Sequence, residues 1–104
     1  MKAIIDGKVY NTETAECIGT HWNGCSTSDF DYLSEGLYVT KKGAYFVSGE
    51  GGARSKYAVS YGSNSVGGGE RIVPLTKEEA FEWAQEHLAP EDIEEHFPDL
   101  IEEA

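Results

Sequence analysis

Apolar residues recur at short, strand-like intervals through the first seventy-odd positions, and only after Thr76 does their spacing lengthen to that of a helix. Ala3-Ile4-Ile5, Asp6-Gly7 and Lys8-Val9-Tyr10 predict a hairpin, since Asp-Gly suits a type I′ turn whose two central residues need positive φ. Residues 14–22 form a second extended segment with imperfect alternation, and the polar cluster Asn23 to Ser28 a loop. Phe30, Tyr32, Leu33, Leu37, Tyr38 and Val39 mark another strand, with a bend expected at Glu35-Gly36. Lys41-Lys42-Gly43 predicts a turn, and Ala44-Tyr45-Phe46-Val47 is the most strand-like run of the chain. Beyond it a glycine-rich stretch, a short strand over Tyr57–Tyr61, a flexible loop from Gly62 to Gly69 and a last strand at Arg71-Ile72-Val73, closed by Pro74, complete the β part.

The helical part has a defined start. Thr76 and Glu79 have the spacing of a capping box, and Ala80, Phe81, Ala84 and Leu88, with Trp83 on their flank, predict an amphipathic helix over 77–88. Pro90 suits the first turn of a second helix, with Ile93, Phe97, Leu100 and Ile101 on its apolar side and Pro98 interrupting it. The expected fold is α+β: an antiparallel sheet of four to six strands, with one or two C-terminal helices packed on one face. One domain is expected over residues 1–104, divided into a β-sheet part (1–74) and a helical part (75–104).

Charge changes this picture more than composition does. An apolar fraction of 39% with twelve aromatic residues argues against a disordered chain. No apolar run is long enough to span a bilayer, and the opening lacks the features of a signal peptide, so a cytoplasmic protein is expected (in the host cytoplasm, if phage-encoded). The net charge is −11. Residues 75–104 hold eleven of the 19 acids and one of the eight bases, whereas residues 1–74 are nearly balanced. Such an end disfavours direct contact with nucleic acid and favours a partner with a basic surface. Glu78, Glu82 and Glu86 fall at i, i+4, i+8, neighbours about 6 Å apart along the helix axis. Like charges so placed weaken a helix by roughly 0.2–0.5 kcal/mol per pair, and Glu86 near the C-terminus opposes the helix dipole. Two readings stand side by side: a solvated face that keeps the protein soluble, or a row of carboxylates in place of phosphates, extended by Glu91, Asp92, Glu94 and Glu95.

Motifs for catalysis are weak. Gly49–Lys56 fails the phosphate-loop pattern, because Ser55 precedes Lys56 and Tyr57 follows it; it predicts a hairpin loop offering Arg54, Lys56 and Tyr57 as an exposed contact cluster. His21, Cys25 and Asp29 form a nucleophilic triad on paper, with no signature around Cys25 to support it. Cys17 and Cys25 have no metal-ligand spacing and are expected as free thiols; His87 and His96 read as solvated helix residues. No cofactor and no metal are expected, and an enzyme built on the His21/Cys25 loop ranks behind a binding protein.

Lys2-Ala3-Ile4-Ile5-Asp6-Gly7-Lys8-Val9-Tyr10 with Asn11-Thr12-Glu13-Thr14-Ala15 resembles the start of a family of small bacterial proteins associated with phages and other mobile elements. Lys42-Gly43-Ala44-Tyr45-Phe46, Gly49-Glu50-Gly51-Gly52, Ser55-Lys56-Tyr57-Ala58, Ile72-Val73-Pro74-Leu75-Thr76, Glu78-Glu79-Ala80 and Trp83-Ala84 extend the resemblance over most of the chain. Some members of such families are linked to inhibition of CRISPR–Cas effectors. The resemblance thus implies an anti-CRISPR inhibitor whose acidic surface blocks a basic nucleic-acid channel. The alternative is an antitoxin-like or regulatory module for another basic partner. Either would act as a monomer or small homo-oligomer, without a membrane.

Overall fold

Asp6 and Gly7 both adopt positive φ, 52° and 75°, and turn β1 (Lys2–Ile5) back onto β2 (Lys8–Asn11). This is the hairpin expected of Asp-Gly. In the computed structural model, which describes residues 1–62 and 65–104, a four-stranded antiparallel sheet follows: β3 (Glu16–Trp22), β4 (Leu33–Val39), β5 (Tyr45–Gly51) and β8 (Gly69–Leu75), in the order β3-β4-β5-β8. A second hairpin, β6 (Val59–Tyr61) with β7 (Ser65–Gly67), is inserted before the last strand. Helices α1 (Lys77–His87) and α2 (Pro90–His96) and a 3-10 turn (Pro98–Leu100) close the chain. The architecture is α+β, as expected.

Several boundaries differ from the sequence reading. β5 runs on through Gly51, so half of the glycine-rich stretch is strand rather than loop. β4 pairs with β5 without interruption from Leu33 to Val39, so no bend occurs at Glu35-Gly36. The irregularity lies in β3 instead, where Ile18 is the extra residue between the Cys17–Tyr38 and Gly19–Leu37 pairs. The loop expected over 62–69 contains β7 and the start of β8; its Ser63 and Asn64 lie outside the described residues. Pro74 sits inside β8, which tolerates it because that strand is at the sheet edge.

Both faces of the sheet are covered, each by a different end of the chain. On one face Ile18, Leu37 and Val47 pack against Ala80, Trp83 and Ala84 of α1 and against Phe97. On the other, Phe46 and Ile72 meet Tyr10 of the N-terminal hairpin, with the Tyr38 ring stacked on Phe46 at 5.3 Å and Tyr10 edge-on at 5.5 Å. Alternation in β4 and β5 produces the split: Leu37 and Val47 face the helices, Tyr38 and Phe46 the hairpin. Leu37, Phe46 and Phe97 are fully buried, each worth roughly 1.5–3 kcal/mol by removal from water.

The Thr76 capping box forms as expected. The Glu79 amide donates to Thr76 Oγ1 at 3.1 Å, and the Thr76 amide donates to Glu79 Oε1 at 2.8 Å. At the other end of α1, Leu88 lies over Gly19, where any side chain would overlap it. Lys77 joins α1 to the 3-10 turn through Asp99, Nζ to Oδ2 2.6 Å.

Candidate functional site

The buried side of α1 carries Ala80, Trp83 and Ala84. Successive i+4 residues advance by about 40° around the axis, which sets Glu78, Glu82 and Glu86 opposite that side, and all three are exposed. Glu86 is 3.7 Å from His87; among the described residues no Lys or Arg pairs with any of the three. On α2, Glu91, Glu94 and Glu95 are exposed and Asp92 is half-buried. Glu95 lies 2.9 Å from His96 Nε2, whose other nitrogen is 3.9 Å from Glu16. His96 is thus half-buried against β3 rather than solvated.

The loop after β5 differs from its expected character. Arg54 is exposed and paired with Asp31, two hydrogen bonds of 3.0 and 2.9 Å, with its guanidinium over the Phe30 ring. Tyr57 is not an exposed contact: it is 3% exposed. Its ring lies on Gly49, and Ser55 lies on Gly51, so the glycines of β5 are seats for the side chains that follow eight and four residues later. A Cβ at Gly49 would occupy the ring's place.

What holds Tyr57 down is Glu35, which the sequence marks only as part of an expected bend. Glu35 is 3% exposed, in the helix-facing phase of β4 with Leu37 and Val39. The Tyr57 hydroxyl donates to its Oε2 and the Trp83 indole Nε1–H to its Oε1 at 3.0 Å. Lys56 Nζ stands 2.7 Å from Oε2. Burial pushes the Glu35 carboxyl up; the hydrogen bonds from Lys56, Tyr57 and Trp83 and the ammonium charge outweigh it and hold it below the ordinary glutamate value. Burial and the same carboxylate push the Tyr57 hydroxyl strongly up, so it remains a donor. One ionised carboxylate therefore ties together β4, the 52–58 loop and α1.

Register extends this point into a polar row across the helix-facing side of the sheet: His21, Glu35, Gly49 and Arg71 are successive cross-strand neighbours. His21 stacks on His87 at 4.0 Å, and Trp83 meets the His87 ring at 4.9 Å. Burial, then the neighbouring His21, lower the His87 pKa. At the other end of the row, Arg71 lies 5.3 Å from the Tyr57 ring and Lys56 5.6 Å from it. Beside them opens a cleft of about 210 Å³, with Val73 and Leu75 on its floor.

The His21–Cys25–Asp29 arrangement is not assembled as a triad. His21 is turned to His87, the Cys25 carbonyl accepts from Trp22 Nε1 at 2.7 Å, and Asp29 Oδ1 accepts from the Asp31 amide at 2.8 Å. Cys17 and Cys25 are free thiols. No helix among the described residues is long and apolar enough to cross a membrane. Comparison with protein-family models, curated proteins and solved structures finds no match to this chain.

Proposed function

We propose that the protein is a binding inhibitor that presents the outer face of α1 to a basic nucleic-acid-binding surface and excludes nucleic acid from it. The observation that carries this reading is the exposed row Glu78, Glu82, Glu86, set opposite the buried side of α1 and without a Lys or Arg partner among the described residues. Repulsion along such a row opposes helix formation, while a basic channel would relieve it. The resemblance set out above supplies the specific partner: a CRISPR–Cas effector, whose guide and target strands lie in a positively charged channel. Glu91 and Glu94 of α2 add charge beyond the row, while Glu95 is engaged by His96.

The test is DNA binding by a panel of guide-loaded Cas effectors, with wild-type protein and with the triple variant Glu78→Lys, Glu82→Lys, Glu86→Lys. Wild-type protein should reduce DNA binding by one effector, less so as salt rises, and the variant should not. Full inhibition by the folded variant sinks the phosphate-row reading. If every effector is unaffected but the protein binds another basic protein through the same three residues, the antitoxin-like or regulatory reading takes its place.

A further inference from the structure

The cleft beside Tyr57 has an unusual charge balance for this chain. Acids outnumber bases 19 to eight, yet Arg71 at its rim makes no salt bridge among the described residues. Its one hydrogen bond there is from Nη2 to the Lys56 carbonyl at 3.4 Å, and a guanidinium has five N–H donors. Lys56 gives one N–H to Glu35 and has others to spare; its side chain is 58% exposed. The two acids that line the cleft are already engaged. Glu35 accepts from Lys56, Tyr57 and Trp83, and Glu79 accepts from the Thr76 amide at the positive end of α1. The rim thus holds unused donors on two cations that flank one tyrosine ring, above an apolar floor of Val73 and Leu75. Its volume of about 210 Å³ falls below the roughly 300–1,000 Å³ of sites for drug-sized ligands, which limits an occupant to the size of a single side chain or a small acid.

We propose that this cleft binds a carboxylate borne on a short apolar stem, the carboxylate meeting Arg71 and Lys56 and the stem lying on Val73 and Leu75. Guanidinium and carboxylate pair in a planar, bidentate way, and the branched floor suits an aliphatic stem. Such a group comes either as a free small acid or as the C-terminus of a peptide. The site neither needs nor excludes a partner on the acidic face.

NMR of the whole protein tests this, read at the Trp83 indole N–H. The Trp22 indole, bonded to the Cys25 carbonyl, is the internal control. 4-Methylpentanoate should shift the Trp83 signal saturably while 4-methylpentanamide does not. Arg71→Gln, at an exposed position of an edge strand, should keep the dispersed spectrum and weaken binding about tenfold or more. Tighter binding of the peptide Gly-Gly-Gly-Leu than of 4-methylpentanoate, lost on C-terminal amidation, assigns the source to a chain terminus; exclusion of the peptide assigns it to a free acid. No saturable Trp83 shift with either acid, equal binding of the amide, or undiminished binding by Arg71→Gln overturns the proposal.

Discussion

Replacing Gly49 with alanine sets a methyl group against the Tyr57 ring. The ring cannot simply give way, because its hydroxyl is held by Glu35. Gly49→Ala should therefore destabilise the protein by about 1–3 kcal/mol, the usual range for overpacking, measured by urea unfolding. Glu35→Ala should cost on the order of 3 kcal/mol, since it strands the buried Tyr57 hydroxyl and Trp83 indole donors. The same carboxylate links stability to pH. Its folded pKa lies below the ordinary glutamate value, so the unfolded state binds more protons in acid. The stabilisation is complete above the unfolded pKa and is lost as pH falls through the folded one. Stability should drop below about pH 4.5, more steeply in wild type than in Glu35→Gln, as read by urea midpoints against pH. Glu35 was partly legible: an acid in phase with Leu33, Leu37 and Val39 is out of place on an inward-facing side of a strand. Its partners were not, since Tyr57 and Trp83 are 22 and 48 residues away in sequence, and alternation says nothing about who lies opposite.

Elements with local causes could be read from the sequence; those defined by distant contacts could not. The Asp6-Gly7 turn, the Thr76–Glu79 box and the start of α2 at Pro90 each depend on residues within four positions, and each appears where the sequence put it. Thr76→Ala should lower stability by about 1 kcal/mol through loss of the cap, visible as a shifted unfolding midpoint. The extension of β5 through Gly51 had no such local signature. Glycine weakens a strand by its own propensity, and only the ladder on both sides of β5, with Tyr57 and Ser55 seated above, keeps it extended. The last turn of α1 meets the sheet through the His21–His87 stack. His87 should titrate below the ordinary histidine value because of its burial and the neighbouring His21, followed by its imidazole NMR shifts. His21→Gln should raise that midpoint by removing the neighbouring imidazole. Neutral His87 supports folding above the unfolded pKa, and that contribution is lost as pH falls through its depressed folded value.

Across the whole molecule, stability and the proposed function pull apart on α1. Neutralising Glu78, Glu82 and Glu86 to glutamine removes two like-charge i, i+4 pairs, so the isolated protein should gain about 0.5–1 kcal/mol while losing its basic partner. A triple variant that is both less stable and fully inhibitory would contradict both expectations. The two-sided sheet has a further consequence, in the order in which a ribosome delivers the chain. The N-terminal hairpin emerges first, but the face that covers Tyr10 includes Ile72 of the last strand. At about 5–20 residues per second, roughly 3–12 s separate the two. Throughout that interval Tyr10 has only part of its final cover. The helices that shield the other face arrive later still, so the nascent sheet is bare on the helix side until residues 77–97 have followed it. The Tyr10 face therefore closes only when the first hairpin and the last strand are both present, so a chain stopped before Ile72 should leave Tyr10 exposed to solvent.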